Sequence, residues 1–275
     1  MIGPGRQQYR EAVAAGRFYP AGPGELRRTV AALIPTIPEE QRQTALAVVV
    51  PHAGYVYSGA VAGETLAQIL LPATVVLLGP NHHGRGAAAA LDLRSWRTPL
   101  GEVAADAELA ALILAAEAGI VEDGTAHDFE HSLEVQVPLL QHCRPGIALV
   151  PLVLGHLRYD DCQLVAQTLA TAIRDLGRPV LLLASTDMSH YESRAQASFK
   201  DGRALERVQA LDPAGLYRTV HELGISMCGV IPTTIALLAA LEMGASQARL
   251  VRYTDSGAVS GDTGQVVGYA GAIIA

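Results

Sequence analysis

Short runs of consecutive apolar residues recur along the chain, each bounded by Gly, Pro or polar residues. Runs of this kind, rich in β-branched residues and without polar alternation, are typical of strands buried on both faces of a sheet. The runs are ALAVVV (45–50), TVVLLG (74–79), IALVPLVLG (147–155) and PVLLLAS (179–185). They predict a largely parallel central sheet.

Between these runs, apolar residues return every three or four positions, which is the period of a helix packed on one face. The spacing predicts helices near 26–34, 105–118 and 160–176. Asp212 followed by Pro213 is a cap and first-turn signal for a helix ending near Gly224, and Pro232 opens another that ends near Gly244. The closing segments QARLVRY (247–253) and QVVGYAGAII (265–274) predict two antiparallel strands.

This alternation of strands and helices indicates the α/β class, with helices on both faces of the sheet. The chain has 275 residues, and at roughly 150 residues per domain that length corresponds to one large or two small domains. Because no low-complexity linker, internal repeat or charge block divides it, we expect a single domain over residues 1–275.

The charge balance narrows the class of partner. There are 20 Lys and Arg against 27 Asp and Glu, a net charge of −7, whereas nucleic-acid and anionic membrane surfaces need a basic face. The apolar runs are far shorter than the roughly 18 residues of a membrane span. The three Cys form no CxxC pair, and the N-terminal segment has no apolar stretch typical of a signal peptide, so we expect a reducing, cytoplasmic location. From the acidic charge balance we expect a small-molecule or protein partner.

Residues with metal-binding or acid–base chemistry follow three of the predicted strands. His52 follows the first run, the segment Asn81–His83 follows the second, and Asp187 and His190 follow the fourth. In a parallel sheet these strand ends share one edge, where ligands bind. A single His after a strand is more often a loop or capping residue, but three such placements favour a shared site. No phosphate-binding glycine loop is present, so a nucleotide cofactor is not indicated.

Clustered neutral imidazoles suit a transition metal, and sites with two His usually add a carboxylate or thiolate. The residues alone leave that third ligand open among Asp187, Glu130, Glu134 and Cys228. Cys228 lies just before the helix predicted from Pro232, whose dipole would favour a thiolate, although a buried apolar role competes with this interpretation.

Taken together, the motifs resemble the Memo family, the B component of the AmmeMemoRadiSam system, and the resemblance covers nearly the whole chain. Each motif is weak alone, whereas the spaced set is specific. The motifs are AGRFY (15–19), PHAGYVYSG (51–59), LGPNHHG (78–84), EHSLEVQVPLL (130–140), STDMSH (185–190), Cys228-Gly229 and GYAGA (268–272).

The resemblance implies a three-layer α/β/α sandwich similar to class III extradiol dioxygenases, with non-haem iron at one edge of a mostly parallel sheet. The implied metal ligands are His52, His82 and Cys228, and the implied acid–base pair is His190 with Asp187. The residues expected to line the pocket are Asn81, His83, Tyr57 and His131.

We therefore expect a metal-binding protein, with iron as the ion and copper or zinc as alternatives, that performs redox or oxygenase-type chemistry. A thiolate in place of the dioxygenases' carboxylate softens the site, so ring cleavage does not follow from the fold. The alternatives are a non-catalytic peptide- or partner-binding module and a metal-assisted hydrolase with Asp187 or Glu134 as base. The resemblance also implies radical-SAM and AMMECR-type pathway partners.

Overall fold

The computed structural model describes residues 9–275, which form strands and helices in alternation. The α-helices are α1 (Pro23–Leu33), α2 (Tyr55–Ala67), α3 (Ala107–Ala115), α4 (Val137–Cys143), α5 (Tyr159–Leu176), α6 (Arg194–Gln209), α7 (Pro213–Glu222), α8 (Val230–Glu242) and α9 (Gly257–Ser260). The strands are β1 (Tyr9–Arg10), β2 (Ala47–Val50), β3 (Thr74–Pro80), β4 (Ala89–Leu91), β5 (Ser95–Thr98), β6 (Gly101–Val103), β7 (Val121–Glu122), β8 (Ala148–Leu154), β9 (Val180–Ser185), β10 (His190–Glu192), β11 (Ala248–Asp255) and β12 (Val266–Ile274). Short 3₁₀ helices span Glu39–Gln41, Gly124–Ala126 and Glu134–Gln136.

The large sheet is mixed rather than purely parallel. Its centre has the order β2-β9-β3-β8, and these four strands pair in parallel. On one side β12 pairs antiparallel with β2 and with β11, as the C-terminal pattern predicts, and also with β10. On the other side β4 pairs antiparallel with β8, and β7 follows it in parallel. Strands β1, β5 and β6 form a separate small sheet.

Helices cover both faces of the sheet, so the predicted three-layer α/β/α arrangement is confirmed. Alternate residues of each central strand face opposite layers: Val49 packs with one core, and Val48 and Val50 pack with the other. The first core includes residues of α3, α5, α6, α7 and α8, and the second includes residues of α1, α2 and α4. Burial of the central strands on both sides explains their continuous apolar sequence.

The helices begin and end close to the predicted limits where capping signals are strong. The side chain of Asp212 accepts a hydrogen bond from the Gly215 N–H at 2.8 Å, which caps α7. Helix α5 ends at Leu176 and is capped by Gly177, whose φ of +69° is the left-handed conformation that favours glycine. Helix α8 begins at Val230, two residues before the predicted start at Pro232, because proline fits inside a first turn as well as at its start.

Helix α6 and the short edge strands have no counterpart among the sequence predictions. Helix α6 is strongly polar, and its buried residues are few, so the apolar period is weak there. Strands β4, β6 and β7 have two or three residues each, too few for a two-residue alternation to be visible. Across residues 9–275 we find no helix with the length and apolar character required to cross a membrane.

Candidate metal centre

Three histidines from separate segments meet at the carboxyl edge of the central strands. His52 follows β2, His82 follows β3, and His131 precedes the 3₁₀ helix Glu134–Gln136. One ring nitrogen of each lies within 4.8 Å of a ring nitrogen of the other two, close enough for one metal ion to bind all three. Strand β9 lies between β2 and β3, which places Asp187 at the same edge.

The rings are held by stacking as well as by the backbone. His131 stacks between Phe18 on one side, at 4.3 Å between centroids, and His82 on the other, at 4.6 Å. The ring of His52 stands edge-on to both, at 5.2 Å from His82 and 5.6 Å from His131. This arrangement directs ring edges, which carry the nitrogens, into one shared space.

Hydrogen bonds determine the tautomer of His52. Its Nδ1 lies 3.0 Å from Oγ of Ser185, and that hydroxyl donates its proton to the Ser132 carbonyl at 2.7 Å. The Gln136 side chain also donates to Ser185 Oγ, at 2.9 Å. Because the serine proton is already committed, His52 Nδ1 must be the donor, and its Nε2 keeps a free lone pair for a metal ion.

Glu130 plays the corresponding part for His82. Its carboxylate accepts a hydrogen bond from Nδ1 of His82 at 2.8 Å, so in the neutral ring Nε2 carries the free lone pair. Burial raises the pKa of Glu130, but hydrogen bonds from His82 and from the Ser132 N–H outweigh it and lower the pKa to about 2. The carboxylate is therefore ionised at neutral pH.

Two histidines of the cluster, His52 and His131, are neutral at neutral pH. Burial lowers the pKa of His52 to about 3, and the nearby His82 ring contributes to this effect. Burial, together with the charges of His52 and His82, lowers the pKa of His131 to about 4. A neutral imidazole binds a metal ion without first losing a proton, so protons do not compete with the metal for these two rings at neutral pH.

Cys228 lies beside this cluster. Its Sγ is 3.3 Å from Nε2 of His52 and accepts a hydrogen bond from the Asp187 N–H at 3.3 Å. Burial, followed by the charge of Asp187, raises the pKa of the thiol, which is opposite to the lowering expected from the helix dipole. Cys228 precedes Gly229, the N-cap of α8, and so lies outside the first turn, within which the dipole effect is concentrated. Without a metal, the thiol is protonated.

The two predicted acid–base residues make different hydrogen bonds. The side chain of Asp187 accepts hydrogen bonds from the backbone N–H groups of His52, at 2.8 Å, and Ala53, at 3.3 Å. His190 instead donates from Nδ1 to the Ser226 carbonyl at 2.9 Å, so in the neutral ring Nε2 carries the free lone pair. Asp187 thus holds the turn after β2, while the carbonyl of Ser226 orients the His190 ring.

The other residues expected to line the pocket differ in their placement. His131 is part of the cluster itself. Asn81 donates to the Arg85 carbonyl at 2.7 Å and so shapes the loop that carries His82, and His83 is exposed on that loop. Tyr57 is 40 % exposed on the first turn of α2. It lines a cavity of about 870 Å³ whose wall includes Phe18.

The carboxylate of Glu134 has a structural role. It forms a buried ion pair with Arg10, accepts hydrogen bonds from the Val13 and Ala14 N–H groups, and accepts another from the Tyr19 hydroxyl at 2.6 Å. These contacts hold the N-terminal loop, and with it Phe18, against the 130–136 segment. Glu134 therefore has no free oxygen for a metal or a substrate, in contrast to its candidacy from sequence.

Sequence reasoning did not assign roles to Phe18, Ser185 or Ser132, and it treated Glu130 as a possible ligand. Phe18 belongs to the AGRFY motif, and Ser185 and Glu130 belong to STDMSH and EHSLEVQVPLL. Their presence in these motifs was the available signal, but a motif does not say whether a residue binds the metal or orients the residue that does.

Comparisons with known proteins place the whole chain in one group. The sequence profile described as "Memo-like protein" matches residues 10–273. A MEMO1 family protein of Methanopyrus kandleri is 42 % identical over 275 aligned positions, covering 95 % of this chain and 97 % of that protein. A MEMO1 family protein of Ignicoccus hospitalis is 39 % identical, covering 95 % of this chain and 96 % of its own length.

A solved structure supports the fold alone. The crystal structure of an uncharacterized protein from Escherichia coli K12 superposes with a TM-score of 0.54 and 15 % sequence identity. The match covers 82 % of this chain and 98 % of that chain.

Proposed function

The chain belongs to the Memo family, and we propose that it is a transition-metal protein that performs redox or oxygenase-type chemistry at the carboxyl edge of its sheet. The observation that carries the proposal is the convergence of three imidazoles whose ring nitrogens lie within 4.8 Å of one another. Two of these rings, His52 and His82, have Nδ1 engaged by Ser185 and Glu130, so both offer Nε2.

In this proposal His52 and His82 bind the ion, and Cys228 is the third ligand because its sulfur lies next to Nε2 of His52. His131 provides a further imidazole at the same point. The nitrogen donors suit iron, and a thiolate also suits copper and zinc. Such an ion, when bound, would supply Lewis acidity, and iron or copper would also supply one-electron redox chemistry.

The chain itself supplies a base and space for a substrate. In the neutral ring of His190, Nε2 carries the free lone pair and the side chain is partly exposed, so this nitrogen can take a proton from a bound molecule. The cavity of about 870 Å³ lined by Phe18 and Tyr57 has the size of sites that bind small molecules, and it adjoins the cluster through Phe18, which stacks on His131. We therefore propose a small-molecule or short peptide substrate, and partners of the radical-SAM and AMMECR type remain part of the proposal.

Elemental analysis of protein purified without oxygen tests the metal directly. We expect about one equivalent of transition metal per chain, and the variant His52→Ala should retain little of it. Oxygen consumption should require both the metal and a reductant. If no preparation contains metal and the metal-free parent protein still binds its partner in a pull-down, the result would instead support a non-catalytic binding module.

A further inference from the structure

We propose that Glu130 is a positioning residue for the metal centre, which holds His82 in the tautomer that presents Nε2 and does not itself bind the ion. The inference deepens the proposed function and rests on it. It concerns a residue that the sequence left open as a candidate ligand.

The contacts of Glu130 leave neither oxygen free. Oε1 accepts hydrogen bonds from Nδ1 of His82 at 2.8 Å and from the Ser132 N–H at 2.9 Å. Oε2 accepts the backbone N–H of His82 at 2.7 Å. The side chain is 1 % exposed, so water does not compete for these bonds. A carboxylate engaged in this way orients a ligand rather than acting as one.

His82 needs such an anchor because its own loop provides little support. The loop from His82 to Gly86 is exposed, and Gly84 and Gly86 both have positive φ angles. Among residues 9–275, hydrogen bonding to the His82 ring comes from Glu130 alone. Because the carboxylate accepts hydrogen bonds from both the ring and the backbone N–H of His82, it fixes the ring relative to the sheet edge.

The same carboxylate faces a second histidine of the cluster. Oε1 lies 3.6 Å from Nδ1 of His131, too far for a hydrogen bond but close enough to attract positive charge there. Glu130 therefore places one negative charge behind two imidazoles, which favours a cation in front of them. His52 differs, since its Nδ1 donates to the neutral hydroxyl of Ser185.

Glutamine cannot reproduce these contacts. Oε1 and Oε2 each accept from a backbone N–H, those of Ser132 and His82, and a backbone N–H cannot reverse its role. Whichever way the amide of Glu130→Gln is turned, its NH₂ group faces one of these donors. The variant must shift the side chain, and the bond that fixes the His82 tautomer weakens with it.

The first measurement uses the metal-free parent protein. Its ¹⁵N NMR spectrum should show the His82 ring with Nδ1 protonated and Nε2 unprotonated, with the signal assigned by its loss in His82→Gln. In Glu130→Gln the ring should change to a mixture of tautomers. A neutral parent ring whose single proton lies on Nε2 would overturn the proposal, whatever the variant does.

The second measurement titrates Co²⁺ alone into the metal-free proteins. We expect Glu130→Gln to weaken Co²⁺ binding by about 10–100-fold, the usual effect of losing a carboxylate that orients a histidine ligand. Asp106→Asn is the matched control, because Asp106 is a buried carboxylate at the opposite end of β3, where it accepts from Thr74 at 2.6 Å. It should lower the free energy of unfolding but leave Co²⁺ affinity within about threefold of the parent.

The outcomes separate this proposal from the function on which it rests. A parent protein that binds no Co²⁺ contradicts the proposed metal centre, while its His82 tautomer still reports on Glu130. A parent that binds Co²⁺, together with a Glu130→Gln variant of parental affinity and parental tautomer, contradicts the role of Glu130 alone.

Discussion

The sulfur of Cys228 lies 3.3 Å from Nε2 of His52, the nitrogen that the Ser185 hydrogen bond leaves free. These residues are separated by 176 positions in the chain and approach each other because β2 and the start of α8 share the same edge of the sheet. His131, the third imidazole of the cluster, stacks on His82. The site thus offers a thiol and a third imidazole around the same pair of histidines.

Replacing Cys228 by Ser should abolish thiolate coordination. In the Co²⁺-loaded parent we expect the near-ultraviolet absorption of a thiolate bound to cobalt, and in Cys228→Ser this band should be lost and the affinity should fall at least about tenfold, since even changes behind a ligand cost 10–100-fold. His131→Ala and Cys143→Ser should both keep the band. A band that persists in Cys228→Ser would assign the third ligand elsewhere.

Removing the hydroxyl of Ser185 should loosen His52. Without the Oγ that accepts from Nδ1 at 3.0 Å, the ring can change tautomer, so we expect Ser185→Ala to weaken Co²⁺ binding by about tenfold. The control is Ser189→Ala, because Ser189 is buried near the same edge and its hydroxyl has no hydrogen-bond partner among the described residues. Equal affinities in the two variants would contradict the role given to Ser185.

Changing His190 should separate catalysis from metal binding. Its ring is oriented by the Ser226 carbonyl and lies outside the group of three imidazoles, so His190→Gln should bind Co²⁺ within about twofold of the parent. Any turnover that the parent shows should fall by about 10²–10⁴-fold, the usual contribution of an acid–base group. Loss of metal from this variant would show that His190 is a ligand.

Glu134→Ala should destabilise the protein strongly. The substitution leaves the buried guanidinium of Arg10 without its carboxylate, and breaking a buried ion pair from one side costs about 3–5 kcal/mol. Urea unfolding measures the loss, and amide exchange should increase around Phe18 as the N-terminal loop loosens. Glu11→Ala removes an exposed ion pair with Arg97 and should cost less than about 1 kcal/mol.

Stability should fall as the pH decreases from about 6.5 to about 4, partly because of His127. Burial lowers the pKa of His127 from 6.5 to about 4, and its Nε2 donates to the Ala90 carbonyl. In this window the unfolded chain binds the proton and the folded protein does not, so acid favours unfolding by up to about 3 kcal/mol.

The free energy of unfolding of the metal-free protein, measured in urea at several pH values, checks this prediction. His127→Gln should show a smaller decrease between pH 6.5 and pH 4 than the parent. The exposed His221→Gln should behave like the parent. An unchanged slope in His127→Gln would mean that other groups account for the acid sensitivity.

The strands and helices that bury a continuous or periodic apolar surface were predictable, since burial constrains each of their residues directly. Strands β2, β3, β8 and β9 and helix α5 are of this kind, whereas α7 was predicted from the cap signal of Asp212 and Pro213. Helix α6 and the short strands β4, β6 and β7 were missed because they carry few buried apolar residues. Their pairing depends on neighbours that are distant in the chain.

By itself, the sequence determined the α/β class and the placement of His52, His82 and Asp187 at one edge, because parallel strands bring their carboxyl ends together. It did not determine what surrounds them. Only the tertiary structure decided that Glu130 and Ser185 orient the imidazoles, that Glu134 holds the N-terminal loop, and that the Cys228 thiol is protonated without a metal. Tautomers and proton affinities depend on burial and on hydrogen-bond partners from remote segments, and these are set when the layers pack.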